Sequence, residues 1–177
     1  MNLVALAWGF AEATFFFLVP DVFLTRVALR DLRRALWAGV AATAGALVGG
    51  TLLWVLAAHG WAPRLWHGFR WLPGINERLI LATGDAVRDS GAVAMLAGIV
   101  RGEPFKLFAV HAGAQHVTLP IFLGVALVAR LGRFAATSLM ARAIGRTCAS
   151  WSERRVNQLH LFFWIAFYGW YFVVMRK

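Results

Sequence analysis

Residues 98–113 read GIVRGEPFKLFAVHAG, an apolar segment that holds three charged side chains around one proline. Arg101, Glu103 and Lys106 lie within three residues of Pro104. A helix does not pass cleanly through Pro104, because the ring removes an N–H and clashes with the preceding turn. Ionisable groups at an interrupted apolar segment indicate a substrate or ion site in a membrane protein.

A second segment has the same plan. Residues 10–24 read FAEATFFFLVPDVFL and carry Glu12, Pro20 and Asp21 in an otherwise apolar run. One interrupted segment is therefore acidic and the other mainly basic. We expect the two to meet near the middle of the membrane, with the acids of the first within reach of the cations of the second, since unpaired charges there cost several kcal/mol.

Both interrupted segments are predicted to be re-entrant helical hairpins, over 3–29 and 91–113. A membrane span needs about 20 residues, and limbs of about 10 residues reach only about 15 Å. The breaks are predicted near Pro20 and near Pro104, with tips that are buried in protein or line a wet cavity. Straight spans at both places would give the same overall topology, so topology alone does not decide between the two.

The composition indicates one all-α integral membrane domain over residues 1–177. The chain is 60% hydrophobic and 15% charged, with a mean hydropathy of +0.66; soluble domains average about 45–50% apolar and about 25% charged. The net charge of +10 does not indicate nucleic acid, because the arginines flank apolar spans. Cys148 is the single cysteine, which excludes an intrachain disulfide. The amino-terminal residues lack a basic region, so no cleaved signal peptide is expected.

Three further spans are predicted at 35–58, 117–130 and 159–175, with 134–144 as a half-buried continuation of the second. Small residues spaced by four in the first of these spans favour internal packing over dimerisation. Residues 59–90, rich in tryptophan and arginine, are typical of the membrane–water interface.

Charge asymmetry predicts the orientation. Residues 26–34 and 130–155 together hold ten arginines and two acids, whereas 59–90 hold four arginines and three acids. The positive-inside rule therefore places the first two stretches in the cytoplasm.

Three motifs in order resemble the DedA/VTT (SNARE-associated Golgi protein-like) membrane family, most closely its short YqaA-like branch. They are residues 10–24, residues 98–113 and RLGRFAATSLMARAIG at 130–145, and the resemblance covers residues 8 to 175. It implies an inverted repeat of two re-entrant hairpins, each followed by a transmembrane helix, plus a carboxyl-terminal transmembrane helix. It also implies a multi-pass protein of the bacterial inner (plasma) membrane.

The resemblance further implies a lipid-translocating or proton-coupled transporter, whose substrate is a phospholipid or a polyprenyl phosphate. Glu12 and Asp21 match acids that the family links to proton coupling, and Arg101 and Lys106 match its basic positions. The implied partners are membrane lipids, an anionic lipid phosphate, protons and, as an open question, further copies of the chain. A membrane homeostasis or scaffold protein without transport is the alternative.

The candidate site residues also have ordinary structural explanations. Burying an acid at mid-bilayer costs about 2.5–3.5 kcal/mol, which is hard to explain for Glu12 without a partner or a task. Asp21 can instead cap the helix after Pro20. Arg101 and Lys106 can hold a phosphate, or form structural ion pairs with the acids.

The remaining polar residues give weaker signals. Arg130 and Arg133 can contact lipid headgroups, although ordinary topological anchoring is favoured. Glu103 is expected at the surface of a hairpin tip. His111 and His116 are five residues apart, a poor spacing for metal ligands on one helix face. No catalytic or cofactor motif occurs, so no enzyme activity, cofactor or metal is expected.

Overall fold

The protein is all-helical throughout the residues that the structure, a computed structural model, describes, namely 2–148 and 150–175. No strand occurs in these residues, which confirms the predicted all-α class. The helices are α1 (Asn2–Thr14), α2 (Asp21–Ala28), α3 (Leu32–Leu56), α4 (Ala62–Phe69), α5 (Glu77–Ser90), α6 (Ala94–Arg101), α7 (Phe105–Ala114), α8 (Leu119–Thr147) and α9 (Glu153–Met175). A π-type turn at Ala57–Trp61 joins α3 to α4, and a 3₁₀ turn at Gly91–Val93 joins α5 to α6.

The first interrupted segment is two helices, α1 and α2, separated by the non-helical residues 15–20. The Trp8 ring stacks on the Phe23 ring at 6.2 Å, and Trp8 Nε1 donates to the Leu18 carbonyl at 3.0 Å. In a continuous helix, two residues fifteen apart would lie about 22 Å from each other. The chain therefore turns back between α1 and α2, and Pro20 lies directly before α2.

The second interrupted segment breaks at 102–104, for a local reason. Gly102 adopts φ +75°, and the Glu103 N–H donates to the Gly98 carbonyl at 2.9 Å. This is the Schellman ending of a helix, in which a left-handed residue, here glycine, follows the last helical residue. Pro104 then directs the chain into α7 with an extended ψ of 128°. The break thus lies where the proline predicted it.

Helix α3 packs against α1 through small residues. A Cβ on Gly45 would overlap the Leu6 carbonyl oxygen, and one on Gly9 would overlap the Ala42 carbonyl oxygen. Gly49 lies similarly against Phe10. The backbones therefore approach closely, and the glycines of α3 serve internal packing, as the spacing favoured.

Many large apolar side chains of α3 and α8 are exposed. Exposed residues on these helices are Trp37, Val40, Val48, Leu52, Ile121, Val128 and Met140. By length and composition, the helical segment Leu32–Phe69 and α8 are long and apolar enough to cross a membrane.

Helix α7 lies at the centre of the main hydrophobic cluster. Every residue from Phe105 to Gly113 is buried, including Lys106 and His111. A helix that is buried on all sides must be apolar around its whole circumference, and only these two of the nine residues are ionisable. The stretch that carries the charges around Pro104 is therefore also the stretch around which the other helices pack.

The carboxyl-terminal half follows the prediction in part. Residues 119–130 and 134–144 belong to one unbroken helix, α8, of 29 residues, which extends about 43 Å, so 134–144 continue the preceding helix as predicted. The last predicted span, 159–175, lies within α9, which is not one of the two segments found apolar and long enough to cross a membrane.

The two arginine-rich stretches lie at the same end of the molecule. Arg142 Nη1 donates to the carbonyls of Leu29 and Arg30, at 3.1 and 3.0 Å. Arg30 in turn pairs with Glu153 at 2.7 Å. The turn between α2 and α3 therefore contacts both the end of α8 and the start of α9.

Candidate functional site

Two buried carboxylates of the first interrupted segment face helix α8. Glu12 lies in the last turn of α1, and Asp21 is the first residue of α2. Their partners, Arg130 and Arg133, are three residues apart on α8, a spacing that places both side chains on one helix face. Thr137 lies one turn further along the same face.

Glu12 and Arg130 form a closed ion pair in the interior. Arg130 Nη2 donates to Glu12 Oε2, and the side chains are only 4% and 6% exposed, respectively. The guanidinium of Arg130 also lies over the Phe105 ring, with 4.3 Å between Cζ and the ring centroid. A buried cation that has both a carboxylate and an aromatic face is held in one orientation.

Asp21 forms a second, less enclosed pair. Asp21 Oδ2 lies 3.0 Å from Arg133 Nη2, and Asp21 Oδ1 accepts from Thr137 Oγ1 at 3.0 Å. Pro20, not Asp21, is the N-cap residue of α2, and the Asp21 carboxylate bonds instead to Arg133 and Thr137 of α8. The alternative that Asp21 merely caps this helix is therefore wrong.

Lys106 reaches from α7 into the break of the first segment. Its Nζ donates to the Phe16 carbonyl at 2.8 Å, and the residue is 2% exposed. No carboxylate of the described residues lies within 4.0 Å of this ammonium group. Lys106 is thus a buried cation whose one described hydrogen-bond partner is an uncharged oxygen.

Arg101 pairs with a neighbour on its own connection. Its Nε donates to Glu103 Oε1 at 2.6 Å, and the two side chains are 54% and 11% exposed. Glu103 is therefore largely buried, and the expectation that it lies at the surface of a hairpin tip is wrong. The reason is the turn at Gly102, which directs the Glu103 side chain inward against Gly98.

All of these groups except Arg130 line one cavity of about 910 Å³. One part of its wall is polar and carries Glu12, Asp21, Arg101, Glu103, Lys106, Arg133 and Thr137. The remaining wall is largely apolar and aromatic, and α9 contributes Leu159, Phe163, Trp164, Phe167, Tyr168, Trp170 and Tyr171. The cavity is therefore amphiphilic: its charged groups come from α1, α2, α6, α7, α8 and the connection before α7, and most of its aromatic rings come from α9.

Helix α9 closes the cavity through polar contacts with the first segment. The Val19 N–H donates to Tyr168 Oη at 2.9 Å. Thr25 Oγ1 lies 2.9 Å from His160 Nε2, and Trp164 Nε1 donates to Thr25 Oγ1 at 3.2 Å. The bond from Tyr168 thus gives the Val19 N–H, in the break before α2, a partner.

Comparison with protein-family models, with curated proteins and with solved structures gives no match. No protein of established function therefore assigns a role to these residues, and the DedA/VTT resemblance rests on the three sequence motifs. Within residues 2–148 and 150–175, no group of three His, Cys, Asp or Glu side chains is placed to hold a metal ion.

The structure brings the four predicted site residues to one cavity but pairs them differently from the prediction. We expected Glu12 and Asp21 to lie within reach of both Arg101 and Lys106. Instead α8 supplies the partners of both acids, while Glu103 takes Arg101. The expected pairing with Arg101 is wrong because Glu103, two residues away, is the nearer carboxylate.

The sequence favoured topological anchoring for Arg130 and Arg133, whereas the structure pairs them with Glu12 and Asp21. Arg130 is buried in the interior and Arg133 lines the cavity, because α8 continues past residue 130 and packs along α2. The signal was present in the sequence, since Arg130, Arg133 and Thr137 recur at helical spacing. Spacing alone does not show which helices this face contacts, so the pairing with Glu12 and Asp21 was not predicted.

Proposed function

We propose that the chain is an integral membrane protein of the DedA/VTT type that translocates an anionic lipid, a phospholipid or a polyprenyl phosphate. The observation that carries this assignment is the amphiphilic cavity, which combines clustered charges with a long aromatic and apolar wall. The three sequence motifs support it as well, because six of their eight charged residues line the cavity, namely Glu12, Asp21, Arg101, Glu103, Lys106 and Arg133.

Membrane insertion is supported by the distribution of residue sizes. Small residues of α3 face the protein, and large apolar side chains of α3 and α8 face outward. Lipid tails are as apolar as leucine, so helices in a membrane associate through close packing of small residues. The outward apolar surface is then covered by lipid.

The two interrupted segments are proposed to be re-entrant hairpins related as an inverted repeat. Helix α1 has 13 residues and α7 has 10, which corresponds to about 20 and 15 Å, too short for a hydrocarbon core of about 30 Å. Each interrupted pair is followed by a long apolar helix, α3 or α8. Helix α9 supplies the carboxyl-terminal transmembrane helix.

The proposed location is the bacterial inner membrane, with 26–34 and the exposed arginines of 130–155 in the cytoplasm. The contacts of Arg142 and Arg30 support a common side for these stretches. Arg130 and Arg133 do not contribute to this orientation, because they lie at the interior site. Eight of the ten arginines still remain, against Asp31 and Glu153.

The charge balance of the site favours an anionic ligand. Three ion pairs, Arg101–Glu103, Arg130–Glu12 and Arg133–Asp21, neutralise six of the seven charged groups. Lys106 is the seventh group and leaves the site with an excess positive charge. A lipid phosphate at Lys106 would supply the missing counterion, with the exposed Arg101 guanidinium as a second donor.

The apolar wall suits the remainder of a lipid. Ligand sites for small molecules have volumes of about 300–1,000 Å³, and this cavity lies near the upper limit. Ring faces of Phe163, Trp164 and Phe167 offer contact along an acyl or polyprenyl chain. The cavity therefore offers both charged partners for the phosphate and apolar partners for the chain.

Protonation of Glu12 is proposed to couple the site to the proton gradient. A neutral Glu12 holds Arg130 less strongly, so the local positive charge rises and the anionic headgroup binds more tightly. Deprotonation restores the ion pair and favours release of the headgroup. In this cycle the carboxyl group of Glu12 binds one proton when the headgroup binds and releases it when the headgroup leaves.

The test is a liposome assay with headgroup-labelled phosphatidylglycerol, comparing wild type, Lys106→Met and the control Arg88→Met. Loss of a hydrogen bond to a charged group costs about 1.5–3 kcal/mol, so Lys106→Met should slow translocation roughly tenfold or more. Arg88 pairs with Asp85 on an exposed surface of α5, and its removal should leave the rate unchanged. A wild type that moves no labelled lipid, or a Lys106→Met variant with the normal rate, contradicts the assignment.

A scaffold protein without transport is the second candidate, and the closed Glu12–Arg130 pair favours it. A dry ion pair of this kind is expected if the charges only fix the arrangement of α1 against α8. In that case Lys106→Met alters stability and not lipid movement, because wild type moves no lipid.

A further inference from the structure

A second, much smaller chamber lies beside the main cavity. Its volume is about 20 Å³, and Glu12, Glu103, Arg130 and Arg133 contribute to its walls. A cavity needs about 10–15 Å³ to hold one water molecule, so this chamber has room for a single water. Charged groups from α1, α8 and the connection between α6 and α7 thus face one confined space.

Two buried polar atoms of residues in this wall have no hydrogen-bond partner among the described residues. They are Glu103 Oε2 and Arg130 Nε. The other oxygen of Glu103 is bonded to Arg101, and the outer nitrogen of Arg130 is bonded to Glu12. An unpaired buried acceptor and an unpaired buried donor, on side chains of opposite charge, therefore belong to two residues that line the same chamber.

Protonation of Glu12 would leave Arg130 without its counterion, and the chamber offers a place for a second one. Arg130 is 3% exposed and lies between the rings of Phe105 and Phe134. If Glu12 becomes neutral, Arg130 is a buried cation without a counterion, which is strongly destabilising. The site needs a second carboxylate within reach of the same guanidinium.

We propose that Glu103 is the alternate counterion of Arg130, in direct contact or through one water in the chamber. This assignment rests on the proposed function in one respect, namely that Glu12 is neutralised during the cycle. When Glu12 is charged, Glu103 pairs with Arg101; when Glu12 is neutral, Glu103 turns toward Arg130. Arg101 is half exposed, so it can be released to solvent or to a headgroup at little cost.

The other charged groups around the chamber are committed elsewhere. Arg133 is held by Asp21, and Lys106 by the Phe16 carbonyl. Asp21 itself bonds to Arg133 and Thr137 and makes no described hydrogen bond to Arg130. Glu103 is therefore the one further carboxylate that lines the chamber with Arg130 among the described residues.

The test is a double-mutant cycle on thermal unfolding of the purified full-length protein in detergent. Glu12→Gln and Glu103→Gln keep the side-chain shapes and remove one charge each. Each single variant leaves Arg130 one carboxylate, whereas the double variant leaves none. The double variant should unfold at least about 6 °C below the value expected from adding the two single shifts. Adding Arg130→Met to the double variant should recover most of that loss.

Glu77→Gln is the matched control, because Glu77 pairs with Arg70 on an exposed surface. The combination Glu12→Gln with Glu77→Gln should be additive. Additive shifts for Glu12→Gln with Glu103→Gln would overturn the assignment. So would a Glu12→Gln protein that fails to fold, since Glu103 would then not have compensated. The double-mutant cycle measures unfolding and not lipid movement. Failure of the proposed transport is therefore detected separately, in the liposome assay.

Discussion

Replacing Arg130 with methionine tests the interior ion pair most severely. The substitution keeps an unbranched apolar side chain beside Phe105 but leaves Glu12 without its described partner. Both side chains are more than nine-tenths buried. Removing one partner of a buried pair costs about 3–5 kcal/mol, because the other charge stays desolvated. For a chain of this length, that loss lowers the unfolding temperature by roughly 6–20 °C.

The assay is thermal unfolding of the purified protein in detergent, followed by tryptophan fluorescence. Arg88→Met is the control, since Arg88 and Asp85 are 70% and 65% exposed and their pairing is worth about 0–1 kcal/mol. Combining Arg130→Met with Glu12→Gln should recover most of the lost stability, because no charge then remains unpaired. If Arg130→Met unfolds within about 2 °C of Arg88→Met, the pair is not the buried contact described above.

Three further predictions follow from the packing, the orientation and the coupling. Gly45→Leu should lower the unfolding temperature by roughly 2–10 °C, because its Cβ would overlap the Leu6 carbonyl oxygen, whereas Gly124→Leu, with no atom within 4 Å, should have little effect; equal effects would refute the close approach of α1 and α3. In a Cys148→Ser background, cysteines at positions 33 and 146 should resist a membrane-impermeant maleimide added outside the cell, while one at position 88 should react. Labelling at 33 or 146 would contradict the proposed orientation. Glu12→Gln should keep the fold and lose any pH dependence of lipid movement, and unchanged pH dependence in a stable variant would exclude Glu12 as the coupling group.

The breaks in the two apolar segments were predictable because they depend on local rules. Gly102 supplies the left-handed residue that ends α6, and Pro104 prevents the helix from continuing. The spacing of the glycines in α3 likewise indicates close helix packing. Such features depend on residues a few positions apart, which the sequence displays directly.

The choice of ion-pair partners was not predictable in the same way. Arg130 and Glu12 are 118 positions apart, and nothing local indicates whether α7 or α8 will face α1. Four cations, Arg101, Lys106, Arg130 and Arg133, could pair with Glu12 and Asp21. The sequence pattern favoured the two cations beside Pro104. The packing of α8 along α2 and α3 decides otherwise. Glu103 was misplaced for a related reason, since its burial depends on the turn at Gly102 and on space beside Gly98.

The extent of the cavity also depends on tertiary structure. The aromatic residues of α9 indicate a membrane helix from composition alone, and their second role as a cavity wall follows only from docking. Tyr168 and His160 hold α9 against Val19 and Thr25 through hydrogen bonds that no sequence motif marks. Four residues of the polar part, Glu12, Asp21, Arg101 and Lys106, were therefore identified from sequence, whereas the apolar wall was not.

The central claim is that a lipid phosphate binds at Lys106 while its chain lies along α9. The most direct measurement is photo-crosslinking of the reconstituted protein with a phosphatidylglycerol that carries a photoreactive group in its acyl chain. The account predicts cross-links to Phe163, Trp164 or Phe167 that are lost in Lys106→Met and retained in Arg88→Met. Cross-links confined to the outward residues Ile121 and Val128, and unaffected by Lys106→Met, would contradict it.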